Sequence, residues 1–249
     1  MKVKSVLVSQ PEPDSRKSPY FELAEKYNIK IDFRPFTNIE GIAAKEFRQA
    51  RVQITEHTAV IFTSRTAIDH FFRISQDLKL DIPDAMKYFC ISEATAFYLH
   101  KYIVYRKRKI FYADGRFSDL INVMKKHPNE KFLVPLSDIH KQEIPELLDK
   151  EGYNYTKAVL YRTVINDLSD LKKVNYDILV FFSPSGIKSL FHNFPDFKQN
   201  GIRIACFGSS TASAVLEAGL RLDIEVPTAQ APSMTMALEQ YIIKANKNN

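Results

Sequence analysis

Ala59-Val60-Ile61-Phe62-Thr63-Ser64-Arg65-Thr66-Ala67-Ile68 returns 119 residues later as Ile178-Leu179-Val180-Phe181-Phe182-Ser183-Pro184-Ser185-Gly186-Ile187. Each copy is a short apolar run, a serine where the run stops, a small or hydroxyl residue two further on, and then apolar residues at helical spacing that reach Phe72 or Phe191. Four or more consecutive apolar residues fit a strand buried on both faces, and a strand that feeds directly into a helix is the unit of a parallel sheet. A second pair repeats in the same order. Cys90-Ile91-Ser92-Glu93-Ala94-Thr95-Ala96 matches Cys206-Phe207-Gly208-Ser209-Ser210-Thr211-Ala212 at an offset of 116. Two units in the same order at nearly the same offset point to a duplicated domain.

Working outward, the same strand-then-helix grammar continues. Strands are expected at residues 4–8, 29–33, 88–91, 131–134 and 202–207, and helices at 19–27, 66–74, 94–101, 143–150, 185–191 and 211–218. The fold class is therefore α/β, with two similar doubly wound parallel-sheet domains. Pattern alone would divide the chain near Glu130. At 249 residues and 45% hydrophobic, the chain can bury two cores of ordinary domain size.

Composition narrows the function classes. No apolar run approaches the ~20 residues of a membrane span, and nothing at the N-terminus resembles an export signal, so a cytoplasmic protein without a membrane partner is expected. Cys90 and Cys206 lie in strand-like apolar runs and read as buried structural residues. The net charge of +6 points to an anionic partner. The densest basic run, Arg106-Lys107-Arg108-Lys109, comes with no helix-turn-helix, zinc spacing or RNA-binding aromatic motif, so it reads as a solvated helix end or surface strand. A basic nucleic-acid-binding protein centred on that run stays open as a minor alternative.

The repeated turns carry the chemistry. Ser183 before Pro184 fits an N-cap serine with proline at the first helical position, and Ser64 stands equivalently. At such turns, first-turn N–H groups and the helix dipole favour a carboxylate or phosphate. Capping alone explains any one of them. Four, two per half, point to an anion-binding cleft between the domains at the carboxyl edges of the sheets.

With these residues in place, the chain resembles the uroporphyrinogen-III synthase family. The resemblance is carried by Val60–Ser64, Ala94-Thr95-Ala96, Val159-Leu160-Tyr161-Arg162-Thr163, Phe181–Gly186, Gly208–Ala212 with Glu217-Ala218-Gly219-Leu220, and Pro232-Ser233 before a final helix. It implies a discontinuous first domain of residues 1–36 plus 164–249, a second domain of residues 37–163, and a two-stranded linker near residues 32–37 and 158–165. It also implies the reaction: hydroxymethylbilane, a linear polycarboxylate tetrapyrrole, loses its hydroxyl as water and closes with inversion of its last ring, in heme biosynthesis. No metal or other cofactor is expected, in keeping with the lack of a phosphate loop, a His/Cys cluster or a nucleophile elbow.

By the same resemblance, Tyr161 matches the family's linker tyrosine and is the expected proton donor or hydroxyl-positioning group. Ser64, Thr95, Ser183, Ser185 and Thr211 are expected to bind carboxylates, with Arg65, Thr66, Arg203 and Ser210 as further candidates. A monomer acting on a small-molecule substrate, with no nucleic-acid partner, completes the expectation. Three places depart from the family's pattern. Ser9-Gln10-Pro11 stands where many bacterial members have Thr-Arg-Pro, Arg65 replaces the usual proline, and Ser92-Glu93 replaces a glycine-led turn. These departures leave room for a non-catalytic tetrapyrrole or anion sensor on the same scaffold.

Overall fold

The computed structural model describes residues 2–15, 17–140, 142–171 and 174–247. It divides into two units, Met1–Asn38 with Val164–Asn249, and Ile39–Thr163.

In the discontinuous unit the elements are β1 (Ser5–Val8), α1 (Pro19–Tyr27) and β2 (Lys30–Phe33). The unit resumes with β9 (Ile178–Phe181), α7 (Pro184–Asn193), β10 (Arg203–Phe207), α8 (Ser209–Glu217), β11 (Ile224–Val226) and α9 (Met234–Lys247). The sheet order is β11-β10-β9-β1-β2, and every pair is parallel. Alternate residues of one strand face opposite cores. Val6, Val8, Ile178 and Val180 pack with Leu23 of α1 and Leu238 and Ile242 of α9. Leu7, Leu179 and Phe181 pack with Ile187 and Leu190 of α7 and Val215 of α8. Both faces are therefore covered by helices, as a continuous apolar strand demands.

The second unit holds β3 (Thr37–Gly41), which begins two residues before it, then α2 (Ala44–Gln49), β4 (Ala59–Phe62), α3 (Arg65–Asp77), β5 (Lys87–Cys90) and α4 (Glu93–Tyr98). It continues with β6 (Ile110–Tyr112), α5 (Phe117–Met124), β7 (Phe132–Ser137), α6 (Glu143–Lys150) and β8 (Tyr155–Ile165), whose last two residues belong to the other unit. Its sheet order is β3-β8-β7-β4-β5-β6, parallel from β8 through β6. Val60, Phe62, Tyr88 and Leu133 meet the apolar stripe of α3 (Ala67, Ile68, Phe71, Phe72) on one face. Ala59, Ile61, Phe89 and Phe132 meet Leu120 and Met124 of α5 and Leu148 of α6 on the other. Burying a large apolar side chain fully is worth about 1.5–3 kcal/mol, so these double-sided cores dominate the stability of each unit.

The sheet register contains one irregularity. Leu136 pairs with Val159, but the next residue, Ser137, pairs with Tyr161, so two residues of β8 stand against one of β7. Such a bulge interrupts the in-out alternation of a strand. Leu160 and Tyr161 are accordingly buried side by side in one core, whereas Val159 is 38% exposed.

Several expectations need adjustment. The strand near residues 32–37 is two strands: β2 ends at Phe33, and β3 opens at Thr37. Pro35 lies between them and has no N–H to give a ladder. The second unit runs through Glu130 without a break, and that carboxylate pairs with Lys87 at 2.5 Å. Residues 106–109 form neither a helix end nor a strand but the turn entering β6, where Arg106 and Lys109 share Asp84 at 3.3 and 3.9 Å. Cys90 and Cys206 are fully buried free thiols, which burial pushes up to about 12 and about 11.

Candidate active site

Because neighbouring strands run parallel, each unit gathers its strand-to-helix turns on one sheet edge. In the second unit, β4 delivers Ser64 to the start of α3, with φ −160° and ψ 161°, and its Oγ accepts the Ala67 N–H at 3.0 Å. The N–H groups of Arg65 and Thr66 belong to the same first turn, which has no intrahelical carbonyls to meet them. Arg65 is exposed, with its guanidinium 5.4 Å from the centroid of the Tyr98 ring, and Thr66 is half-buried.

The turn after β5 is built differently from the expectation. Ser92 is the cap of α4: its Oγ accepts the Thr95 N–H at 3.3 Å and lies 3.0 Å from Thr95 Oγ1. Thr95 is the third helical residue and is only 6% exposed, so its hydroxyl serves the turn, and Ser92 is the outer oxygen. Glu93, the anticipated repulsive group, is tied to the Tyr112 hydroxyl at 3.2 Å.

Tyr161 sits on β8, 9% exposed, with its phenol close enough to Ser64 for that side chain to bear on its ionisation. Two residues singled out separately in the sequence thus meet. Burial pushes the phenol above its ordinary range, and the Ser64 contact opposes this without cancelling it, so the group is protonated at neutral pH. Asp138 follows β7 on the same edge. Its carboxylate accepts N–H groups from Ile139 at 2.8 Å and Thr163 at 3.1 Å, and the Ser137 hydroxyl at 2.8 Å. Burial alone would raise its pKa, but these donors hold it below the usual carboxylate value.

The discontinuous unit repeats the arrangement. Ser183 caps α7, its Oγ accepting the Gly186 N–H at 3.3 Å, with Pro184 and the half-buried Ser185 in the first turn. A Cβ on Gly186 would lie 3.1 Å from the Phe181 ring and 3.8 Å from Ser9 Oγ, which places Ser9 beside this turn. On the adjacent strand, Gly208 rather than a hydroxyl residue leads into α8, with φ +88°. That left-handed value favours glycine. Ser210 in the following turn is exposed, and Thr211 is 2% exposed and donates its N–H to the Gly208 carbonyl at 3.1 Å.

Arg203 does not join this edge. It opens β10, at the opposite end of the strand from Gly208, and its guanidinium donates to Tyr241 Oη at 3.0 Å and the Gly201 carbonyl at 2.9 Å. The arginine anchors the final helix, and its expected carboxylate contact is withdrawn. Sequence reasoning also missed His70 and Arg73, which pack against Tyr161 and the backbone beside it; on α3 beyond Ser64, they carry no local signature. Among the described residues, no group of three or more His, Cys, Asp or Glu could hold a metal ion, and no helix is long and apolar enough to cross a membrane.

The sequence profile of the family described as Uroporphyrinogen-III synthase HemD matches residues 18–236. The chain belongs to the uroporphyrinogen-III synthase family. A curated uroporphyrinogen-III synthase from Chlorobaculum parvum (strain DSM 263 / NCIMB 8327) is 22% identical, over 96% of this chain and all of the relative. Among solved structures, the uroporphyrinogen-III synthetase of Helicobacter pylori 26695 superposes with a TM-score of 0.62 at 17% identity, covering 97% of this chain and 99% of that one. A mutant uroporphyrinogen III synthase from the extremely thermophilic bacterium Thermus thermophilus gives 0.58 at 16% identity, over 99% and 100%. These superpositions establish the α/β fold with parallel sheets. The hydroxyl-rich turns and Tyr161 therefore lie in a uroporphyrinogen-III synthase scaffold.

Proposed function

We propose that this chain is a cyclising hydro-lyase that converts hydroxymethylbilane to uroporphyrinogen III, with Tyr161 as the proton donor. The observation that carries the assignment of Tyr161 is its burial at the carboxyl edge of the second sheet, opposite Ser137 at the end of β7 and stacked on His70. Loss of the substrate hydroxyl breaks a C–O bond and needs a proton on the departing oxygen. A phenol kept protonated by burial supplies that proton or a strong hydrogen bond to the leaving group. The electrophilic azafulvene then meets the substituted carbon of the last ring, and fragmentation with reclosure yields the inverted macrocycle.

The substrate carries an acetate and a propionate on every ring, so it requires many donors. Ser64, Arg65 and Thr66 in one unit, and Ser183, Ser185 and Ser210 in the other, offer hydroxyls, first-turn N–H groups and one guanidinium. In this reading the turns of each unit bind substrate carboxylates, and holding the flexible chain folded makes the substituted carbon the near one. Thr95 and Thr211 keep a part in it by shaping their turns. The discontinuous domain and the pair β3 and β8 as its crossing strands belong to the same proposal, as do a cytoplasmic location and a monomeric state. The family match favours neither the sensor nor the nucleic-acid alternative, and Arg106 and Lys109 are engaged with Asp84.

The test is an assay in which hydroxymethylbilane is generated in situ and the product isomers are separated. Uroporphyrinogen III as the main product is expected, and type I isomer alone, from spontaneous closure, would refute the reading. Capping can be separated from substrate binding at Ser183. Aspartate caps a helix as well as serine does, so Ser183→Asp should leave stability within about 0.5 kcal/mol. Its carboxylate should nevertheless raise KM for the polyanion by roughly tenfold, a like-charge penalty of about 1.4 kcal/mol. An unchanged KM would assign Ser183 to capping alone.

A further inference from the structure

His70, on α3, stacks on the Tyr161 ring with centroids 5.0 Å apart and planes 20° from parallel. The imidazole is itself held. Arg73 Nε donates to His70 Nδ1 at 3.2 Å, which leaves the ring proton of the neutral form on Nε2. The same guanidinium donates through one terminal nitrogen to the carbonyls of Ile42 at 2.8 Å and Leu160 at 3.4 Å, and through the other to Asp77 at 2.7 Å. Leu160 immediately precedes Tyr161, so Arg73 grips both the backbone beside the tyrosine and the ring that lies on it. Gly41 leaves room for this clamp, since a Cβ there would fall 2.7 Å from the guanidinium. None of these groups is needed for the core of α3, which is made by Ala67, Ile68, Phe71, Phe72 and Ile74.

We infer that His70, locked by Arg73, is a positioning residue that fixes the orientation of the Tyr161 ring, and with it the aim of the phenol, through the stacked faces of the two rings. This rests on the reading of Tyr161 as the group that serves the substrate. A buried phenol could otherwise turn about χ1, and a stacked ring whose own nitrogen is fixed removes that freedom. The device acts through geometry: an aromatic face is required at position 70, and its basicity is not.

The experiment compares His70→Ala, His70→Phe, Tyr161→Phe and the Tyr161→Phe/His70→Ala double variant in the isomer-resolved assay, with thermal unfolding of each. In addition, the ring resonances of Tyr161 are followed in substrate-free protein carrying labelled tyrosine, assigned by their loss in Tyr161→Phe. His70→Ala should lower kcat about tenfold and change KM by less than about twofold, as misplacement of a reacting group does. His70→Phe should recover kcat to within about threefold of the parent, and His70→Ala should cost nothing further in the Tyr161→Phe background. Parent-like kcat in His70→Ala, failure of phenylalanine to rescue, or an equal loss in both backgrounds would overturn the inference. Should Tyr161→Phe keep full activity, the reading of Tyr161 falls separately. The resonances then still decide the positioning claim, which requires them to move in His70→Ala and to return in His70→Phe. If His70→Ala does not fold, the His70→Phe resonances and rate carry the same decision.

Discussion

Tyr161→Phe is expected to reduce formation of uroporphyrinogen III about 100-fold, the lower end of what one positioned proton donor contributes. KM should change by less than about threefold, because the phenol is buried beside Ser64 and most of the substrate's carboxylates are met by other groups. The ring is kept, so its stacking on His70 and its place in the core survive, and the melting temperature should hold within a few degrees. Two independent readings of the assay bear on the claim. If the rate is unchanged, Tyr161 is a packing residue, and the departing hydroxyl takes its proton elsewhere. If instead the rate falls in proportion to a loss of binding, the phenol belongs to substrate recognition and not to the bond-breaking step.

Phe89→Ala should destabilise the continuous unit by about 3–5 kcal/mol, the usual cost of emptying a fully buried aromatic site. Phe89 is on β5 with no exposed surface, and its ring meets Phe111 at 4.9 Å and both Phe132 and His127 at 5.3 Å. Those neighbours belong to strands and to the loop after α5 and cannot all close on the void, so the loss should approach the upper figure. The two units have separate cores, and amide exchange gives the sharpest test. Protection should fall across β4, β5 and β7 while β1, β9 and β10 keep theirs. Equal loss in both sheets would mean that the chain unfolds as one cooperative body.

Much of the fold was legible because parallel strands buried on both faces leave uninterrupted apolar runs. Ala59–Phe62 is a strand over the residues that pattern selects, Ile178–Phe181 stops one residue short of the expected end at Phe182, and Ser64 and Ser183 are caps. The short edge strands were not legible. β3 is Thr-Asn-Ile-Glu-Gly, and β6 and β11 have three residues each, too few to show a period. α5 could have been found, since Phe117, Leu120, Ile121 and Met124 have helical spacing and are all buried. The site divides along the same line. A cap is a local event, so Ser64 and Ser183 could be read from three or four residues of sequence. Contacts between distant segments leave no such trace. Arg203 reads as a cationic candidate until its strand end is known, Thr95 and Thr211 read as caps until their burial is known, and the Arg73–His70–Tyr161 stack joins α3 to β8 across roughly ninety residues of chain.

The doubled step between Leu136 and Ser137 makes the aim of the tyrosine a matter of counting. In a pleated ribbon, odd and even positions look opposite ways, so the surplus residue in β8 reverses the parity of everything that follows it. Tyr161 therefore shares a side with Ala158 and Leu160, although plain alternation would have turned it toward the side of Val159. The chemical direction of this segment is thus encoded by length as well as by identity. Losing the bulge at constant length would preserve every functional side chain in name and still turn the hydroxyl toward the side of Val159, whereas trimming the surplus residue would leave Tyr161 opposite Ser137.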